Sequence, residues 1–225
     1  MSIGRRRITV KICGISHPDD LETADGADLI GIVLDVPGSI RSRTLEEART
    51  LVRMADRRWK VVGVAVRPHA EFLRKAWDEV GVDWVQVHGP LPRGLDERER
   101  RRILPSVGLP AADPRPGEPT HAPPLPDDGP GYPFIHLDTA TGAIPGGTGR
   151  VSDWSIAREF VRSRPEQPFM LGGGLGPTNV ARALDAVGPA AVDVSSGVED
   201  RPGRKSAPKI RAFLRQVREW EEAHA

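Results

Sequence analysis

Eight short apolar segments recur along this 225-residue chain, and their recurrence constrains the fold more than any other feature. They are Ile8–Cys13, Leu29–Leu34, Val61–Val66, Trp84–His88, Ile103–Leu109, Phe134–Thr139, Phe169–Gly172 and Val192–Ser195. Each is brief and rich in β-branched residues, which reads as a strand. Amphipathic helices are expected between most of them, at Thr44–Arg57, His69–Val80, Asp153–Arg162, Thr178–Val187 and Lys205–Ala223. Two helix starts carry capping chemistry: Ser16 precedes Pro18 and Asp19, and Thr44 precedes Glu46 and Glu47. Repeated βα units imply a parallel sheet. Eight of them in this length close into a barrel rather than an open sheet. The expected fold class is therefore α/β, a (βα)8 TIM barrel in a single domain over residues 1–225.

One connection breaks the rhythm. Pro105 to Pro133 holds ten prolines, which cannot sustain a helix. It reads as a loop replacing the fifth barrel helix, because the strand rhythm resumes at Phe134; a domain linker is the other reading. Composition narrows the partners. Lys and Arg number 32 against 31 Asp and Glu, a net charge of +1. This balance gives no basis for a nucleic-acid or membrane-surface partner, so attraction for an anionic ligand must be local. No apolar run reaches the roughly 20 residues of a membrane span. The basic stretch Met1–Arg7 runs into a strand rather than a signal-peptide core. Cys13 is the one cysteine, which precludes an internal disulfide and fits a reducing compartment, so a cytoplasmic location is expected.

Polar residues inside the strands point to a site. Side chains alternate across a strand. Thr9, Lys11 and Cys13 therefore share a face opposite Ile8, Val10 and Ile12. Gln86 and His88 oppose Val85 and Val87; His136 and Asp138 oppose Ile135 and Leu137; Asp193 and Ser195 oppose Val192 and Val194. Apolar faces of barrel strands pack outward on helices, so these polar faces point inward, toward a mouth at the strand C-termini. Satisfied interior hydrogen bonding is the bland reading of any one strand. Four strands ending this way favour a site.

The ordered motifs resemble the phosphoribosylanthranilate isomerase family. Lys11-Ile12-Cys13-Gly14 is similar to its first-strand motif and Gln86-Val87-His88-Gly89 to its fourth. Leu137-Asp138-Thr139 resembles the sixth, and Gly146-Gly147-Thr148-Gly149 with Asp153-Trp154 the loop beyond it. Gly173-Gly174-Leu175, Pro177 and Asn179-Val180 resemble the seventh unit, and Val192 to Glu199 the eighth. The resemblance implies an Amadori rearrangement of N-(5-phosphoribosyl)anthranilate, with Cys13 as general base and Asp138 as general acid. It implies that Arg41 holds the anthranilate carboxylate, with Arg43 as a competing candidate. Gln86 and His88 are expected to contact substrate, and Gly173, Gly174, Ser195, Ser196 and Gly197 to cradle its phosphate. No metal or organic cofactor is expected, since the substrate's own nitrogen acts as the electron sink; the partner is a phosphorylated sugar. By themselves, Cys13 reads as a small buried hydrophobe and Asp138 as a turn cap.

The chain departs from the family pattern in several places. Ser39-Ile40-Arg41 stands where Ser-Pro-Arg is common, Arg67 where a small amide or acid is usual, Gly172 for Ala and Gly176 for Asn, and strand five lacks a lysine. These departures cluster where the aglycone is expected, which leaves open a different arylamine ribotide in a specialised pathway. A barrel that binds sugar phosphate without turnover is a third reading. Histidine-pathway isomerases typically place Asp where this chain has Cys13.

Overall fold

The computed structural model describes residues 7–126, 131–140 and 150–225. Eight parallel strands form the barrel: β1 (Thr9–Cys13), β2 (Leu29–Leu34), β3 (Lys60–Val66), β4 (Trp84–His88), β5 (Ile103–Leu109), β6 (Ile135–Thr139), β7 (Phe169–Leu171) and β8 (Ala191–Val194). Each pairs with its neighbour in order, and β1 closes the sheet by pairing with both β2 and β8. A two-residue strand, Ser42–Arg43, adds to the edge of β2, in the loop that carries Arg41. The expected strands are all present, shifted at most by one residue at either end.

Helices α1 (Pro18–Thr23), α2 (Leu45–Ala55), α3 (Ala70–Lys75, continued by a π turn through Val80), α4 (Glu97–Arg100), α5 (Trp154–Ser163), α6 (Val180–Val187) and α7 (Ala207–Ala223) follow the strands. Thr44 begins α2 with a full capping box, its side chain accepting from the Glu47 amide while Glu47 accepts from the Thr44 amide. The expected cap at Ser16 is not formed. His17 caps α1 instead, accepting from the Asp19 amide, because the Ser16 hydroxyl donates to the Gly203 carbonyl. Between Leu109 and Ile135 no helix occurs among the described residues, as the prolines require. Pro105 itself lies inside β5 rather than in the irregular segment.

Two apolar layers hold the fold. The larger fills the space between barrel and helices, with Ile8 just before β1 and Val10 and Ile12 within it all fully buried there. The smaller, Leu29, Val62, Leu104, Met170 and Ala191, plugs the barrel interior, flanked by Trp84 and Phe134 packed edge to face at 6.2 Å. Each fully buried aliphatic side chain contributes about 1.5–3 kcal/mol. With the interior plugged by apolar residues, the inward polar residues are left to build the open end.

Candidate active site

A tier of polar side chains lies inside the barrel above the apolar plug. Lys11 is fully buried, and its Nζ donates to Gln86 Oε1 at 3.0 Å and to Asp193 Oδ1 at 3.1 Å. The other Asp193 oxygen meets His136 Nε2 at 3.1 Å, and His136 Nδ1 meets Ser106 Oγ at 2.9 Å. Gln86 Nε2 lies 2.8 Å from His88 Nε2. Because Gln86 Oε1 accepts from a cation, its amide nitrogen is the donor to His88, which therefore accepts on Nε2. This network satisfies groups that would be costly to bury alone.

Electrostatics follow from burial and these contacts. Burial opposes the Asp193 charge, but Lys11 and His136 overcome it and hold the carboxyl at about 2. Burial also opposes the Lys11 charge, but Asp193 and Cys13 more than compensate and raise its pKa. His88 is pushed down to about 3, first by burial and then by His136 and Lys11, so the ring is neutral at pH 7.

The catalytic candidates sit at the rim. Cys13 ends β1, 8% exposed, and lines a cavity at the strand C-termini. Gln86, His88, Asp138, Arg41, Gly173, Gly174, Ser195 and Ser196 line the same cavity. Burial pushes the Cys13 thiol up, against the pull of Lys11 and then Lys205. Burial likewise raises Asp138, whose Oδ1 accepts the Thr139 amide at 2.8 Å. A raised carboxyl pKa favours the acid form, which can donate. Gly197 stands beside the cavity without lining it; a Cβ there would lie 2.0 Å from the Leu175 carbonyl, so its identity serves the close approach of two loops.

Arg41 and Arg43 separate clearly. Arg43 Nε donates to the Ser16 carbonyl at 2.6 Å and Arg43 does not line the cavity. Arg41 lines it, its Cδ lying over Gly14 where a Cβ would sit 2.6 Å away. Gly14 has φ +77°, a left-handed turn next to Cys13 that glycine adopts freely. Arg41 is paired bidentately with Glu199, whose partnership with Arg41 and Lys205 the sequence did not disclose. Of the departures from the family pattern, Ile40 lines the cavity; Arg67 is exposed and does not. A Cβ on Gly172 would lie 2.8 Å from His136 Nε2, so the imidazole occupies the space of an alanine methyl. The loop Gly146-Gly147-Thr148-Gly149 lies outside the described residues.

His88, His136 and Asp138 offer ligand atoms within 4.8 Å of one another, the one such group among the described residues. Both His136 nitrogens and His88 Nε2 are already engaged in hydrogen bonds, which account for that grouping without an ion.

A family profile described as N-(5'phosphoribosyl)anthranilate (PRA) isomerase matches residues 10–216. The N-(5'-phosphoribosyl)anthranilate isomerase of Granulibacter bethesdensis is 37% identical over 217 residues, covering 93% of this chain and 97% of the relative. The crystal structure of phosphoribosyl anthranilate isomerase from Thermotoga maritima superposes with a TM-score of 0.74 at 30% identity, covering 94% of this chain and 99% of that one. A phosphoribosyl anthranilate isomerase solved in complex with reduced 1-(o-carboxyphenylamino)-1-deoxyribulose 5-phosphate superposes at 0.70 with 29% identity, covering 94% and 99%.

Proposed function

This chain belongs to the N-(5'-phosphoribosyl)anthranilate isomerase family, and we propose that it performs the Amadori-type isomerisation of tryptophan biosynthesis with Cys13 as general base and Asp138 as general acid. The observation that carries the assignment is that Cys13 and Asp138, from strands β1 and β6, line one cavity at the C-terminal mouth of the barrel.

The roles follow from the chemistry. Asp138, whose pKa burial raises toward the acid form, gives its proton to the furanose ring oxygen; the C1–O bond breaks and a Schiff base forms. The Cys13 thiolate then takes the proton from C2. The electron pair moves onto the substrate nitrogen, and the resulting enolamine tautomerises to the ketone. The nitrogen is the electron sink, so the reaction asks for no cofactor. Gly173, Gly174, Ser195 and Ser196 offer the phosphate site, with Gly197 supporting the loop, and Gln86 and His88 face the sugar. Arg41 addresses the anthranilate carboxylate, since a guanidinium matches a carboxylate bidentately. No helix among the described residues is long and apolar enough to cross a membrane. We read residues 1–225 as one barrel domain acting in the cytoplasm.

The test generates phosphoribosylanthranilate in place from anthranilate and phosphoribosyl pyrophosphate and follows its fluorescence. Turnover that is lost in Asp138→Asn supports the assignment. A folded protein stabilised by the product analogue but giving no rate rejects it in favour of a binding barrel.

A further inference from the structure

Arg41 does not reach the cavity as a free side chain. Its Nε donates to Glu199 Oε1 at 2.8 Å and its Nη2 to Glu199 Oε2 at 2.6 Å. Glu199 is itself fixed: Lys205 Nζ donates to its Oε1 at 2.8 Å and the Gly203 amide to its Oε2 at 3.1 Å. Lys205 in turn donates to the Ser195 carbonyl at 3.2 Å. An unbroken chain of contacts thus runs from Ser195, at the expected phosphate end, through Lys205 and Glu199 to Arg41, at the expected carboxylate end. The side chains of Glu199 and Lys205 are 4% and 0% exposed, so the chain is shielded from water.

A guanidinium has five N–H donors. Glu199 takes the edge formed by Nε and one Nη2 hydrogen. The other edge, Nη1 with the second Nη2 hydrogen, makes no hydrogen bond among the described residues and is a complete fork for a second carboxylate. Arg41 and Lys205 bring two cationic side chains to one carboxylate, and because burial pulls the Lys205 pKa down, the charge offered to an anion sits chiefly on Arg41. An arginine in the loop after β2 without this anchor would spread over many rotamers, and ordering it on binding would cost affinity.

We propose that Glu199 is a positioning residue that aims the free edge of Arg41 at the substrate's aglycone carboxylate, registering it against the phosphate cradle through Lys205. This rests on the reading of Arg41 as the carboxylate contact.

The test compares binding of two probes by calorimetry: reduced 1-(2-carboxyphenylamino)-1-deoxyribulose 5-phosphate, and the aniline counterpart that lacks the carboxylate. The carboxylated probe binds the parent protein more tightly. In E199Q that advantage falls roughly tenfold, the scale of one charge-assisted hydrogen bond, while the aniline probe binds as before. R41A loses the same advantage, and R41A/E199Q loses no more than R41A. Because E199Q leaves the Lys205 ammonium short of a partner, E199Q/K205M is measured beside it and shows the same collapse. If E199Q and E199Q/K205M keep the advantage while R41A loses it, Glu199 is merely structural and the proposal fails. If R41A keeps it, the carboxylate reading of Arg41 fails and takes the proposal with it.

Discussion

Lys11 and Asp193 stand at the same register on adjacent strands β1 and β8, and their side chains meet inside the barrel at 3.1 Å. Both are buried, so neither charge has water to fall back on. Lys11→Met leaves Asp193 facing only His136. It is expected to cost about 3–5 kcal/mol, the range for breaking a buried pair from one side. Lys11→Met with Asp193→Leu should cost less than Lys11→Met alone. Denaturant unfolding of the three proteins measures this; a double variant no better than the single one would show that the pair is not coupled.

Cys13→Ser and Asp138→Asn should each lower kcat by about 10²–10⁴. Both changes keep the size of the side chain beside the phosphate cradle, so a product analogue should still raise Tm in both. Normal turnover in one variant removes that residue from the mechanism.

The pH profile should carry an inverted assignment. The reactive form needs Asp138 protonated and Cys13 ionised, yet burial raises both pKa values; with the thiol above the carboxyl, as in their ordinary values, that form is the minor one. Below the Asp138 value, raising pH increases the thiolate fraction and the rate climbs. Between the two values, gain of thiolate cancels loss of the acid and the rate is flat. Above the Cys13 value only loss of the acid remains, and the rate falls. The kcat/KM plateau should therefore open above the usual carboxylate range and close above the usual thiol value. The closing limb should coincide with the pH dependence of Cys13 alkylation; a mismatch between the two would refute the assignment.

His88 should make the fold acid-sensitive. Its folded pKa of about 3 lies below the unfolded value of about 6.5, so between them the unfolded chain binds the extra proton. The stabilisation is complete above about pH 6.5 and is lost as pH falls toward 3, at up to about 1.4 kcal/mol per pH unit. His88→Gln should flatten the fall in Tm between pH 6.5 and pH 4.5, and an unaltered slope would count against it.

Gly173 has φ +79°, and a Cβ there would come 2.3 Å from Thr139 Oγ1 and 3.3 Å from Asp138 Oδ1. Gly173→Ala should therefore weaken product-analogue binding and lower kcat together, because the phosphate loop and the acid share that space. An alanine variant with parent kinetics would exclude Gly173 from the site.

Much of this was legible from the chain alone. Strand spacing and the run of prolines pointed to the barrel and to a connection that holds no helix among the described residues, because period and proline chemistry are local properties. Alternation assigned Lys11, Gln86, His136 and Asp193 to the interior, because a strand sends successive side chains to opposite faces. The ordered motifs brought out Cys13 and Asp138. What alternation leaves undetermined is who meets whom. That His136 shares Asp193 with Lys11 depends on strand stagger and closure, which bring residues 57 and 182 positions apart to one carboxylate. The choice of Arg41 over Arg43 came from a loop conformation, with Ser16 and Gly14 deciding where each guanidinium lies. Glu199 was visible as a letter in a motif, but its grip on Arg41 spans 158 positions and exists only once the barrel has closed. Local chemistry is written in the sequence; contacts between distant loops become decidable only when closure brings them together.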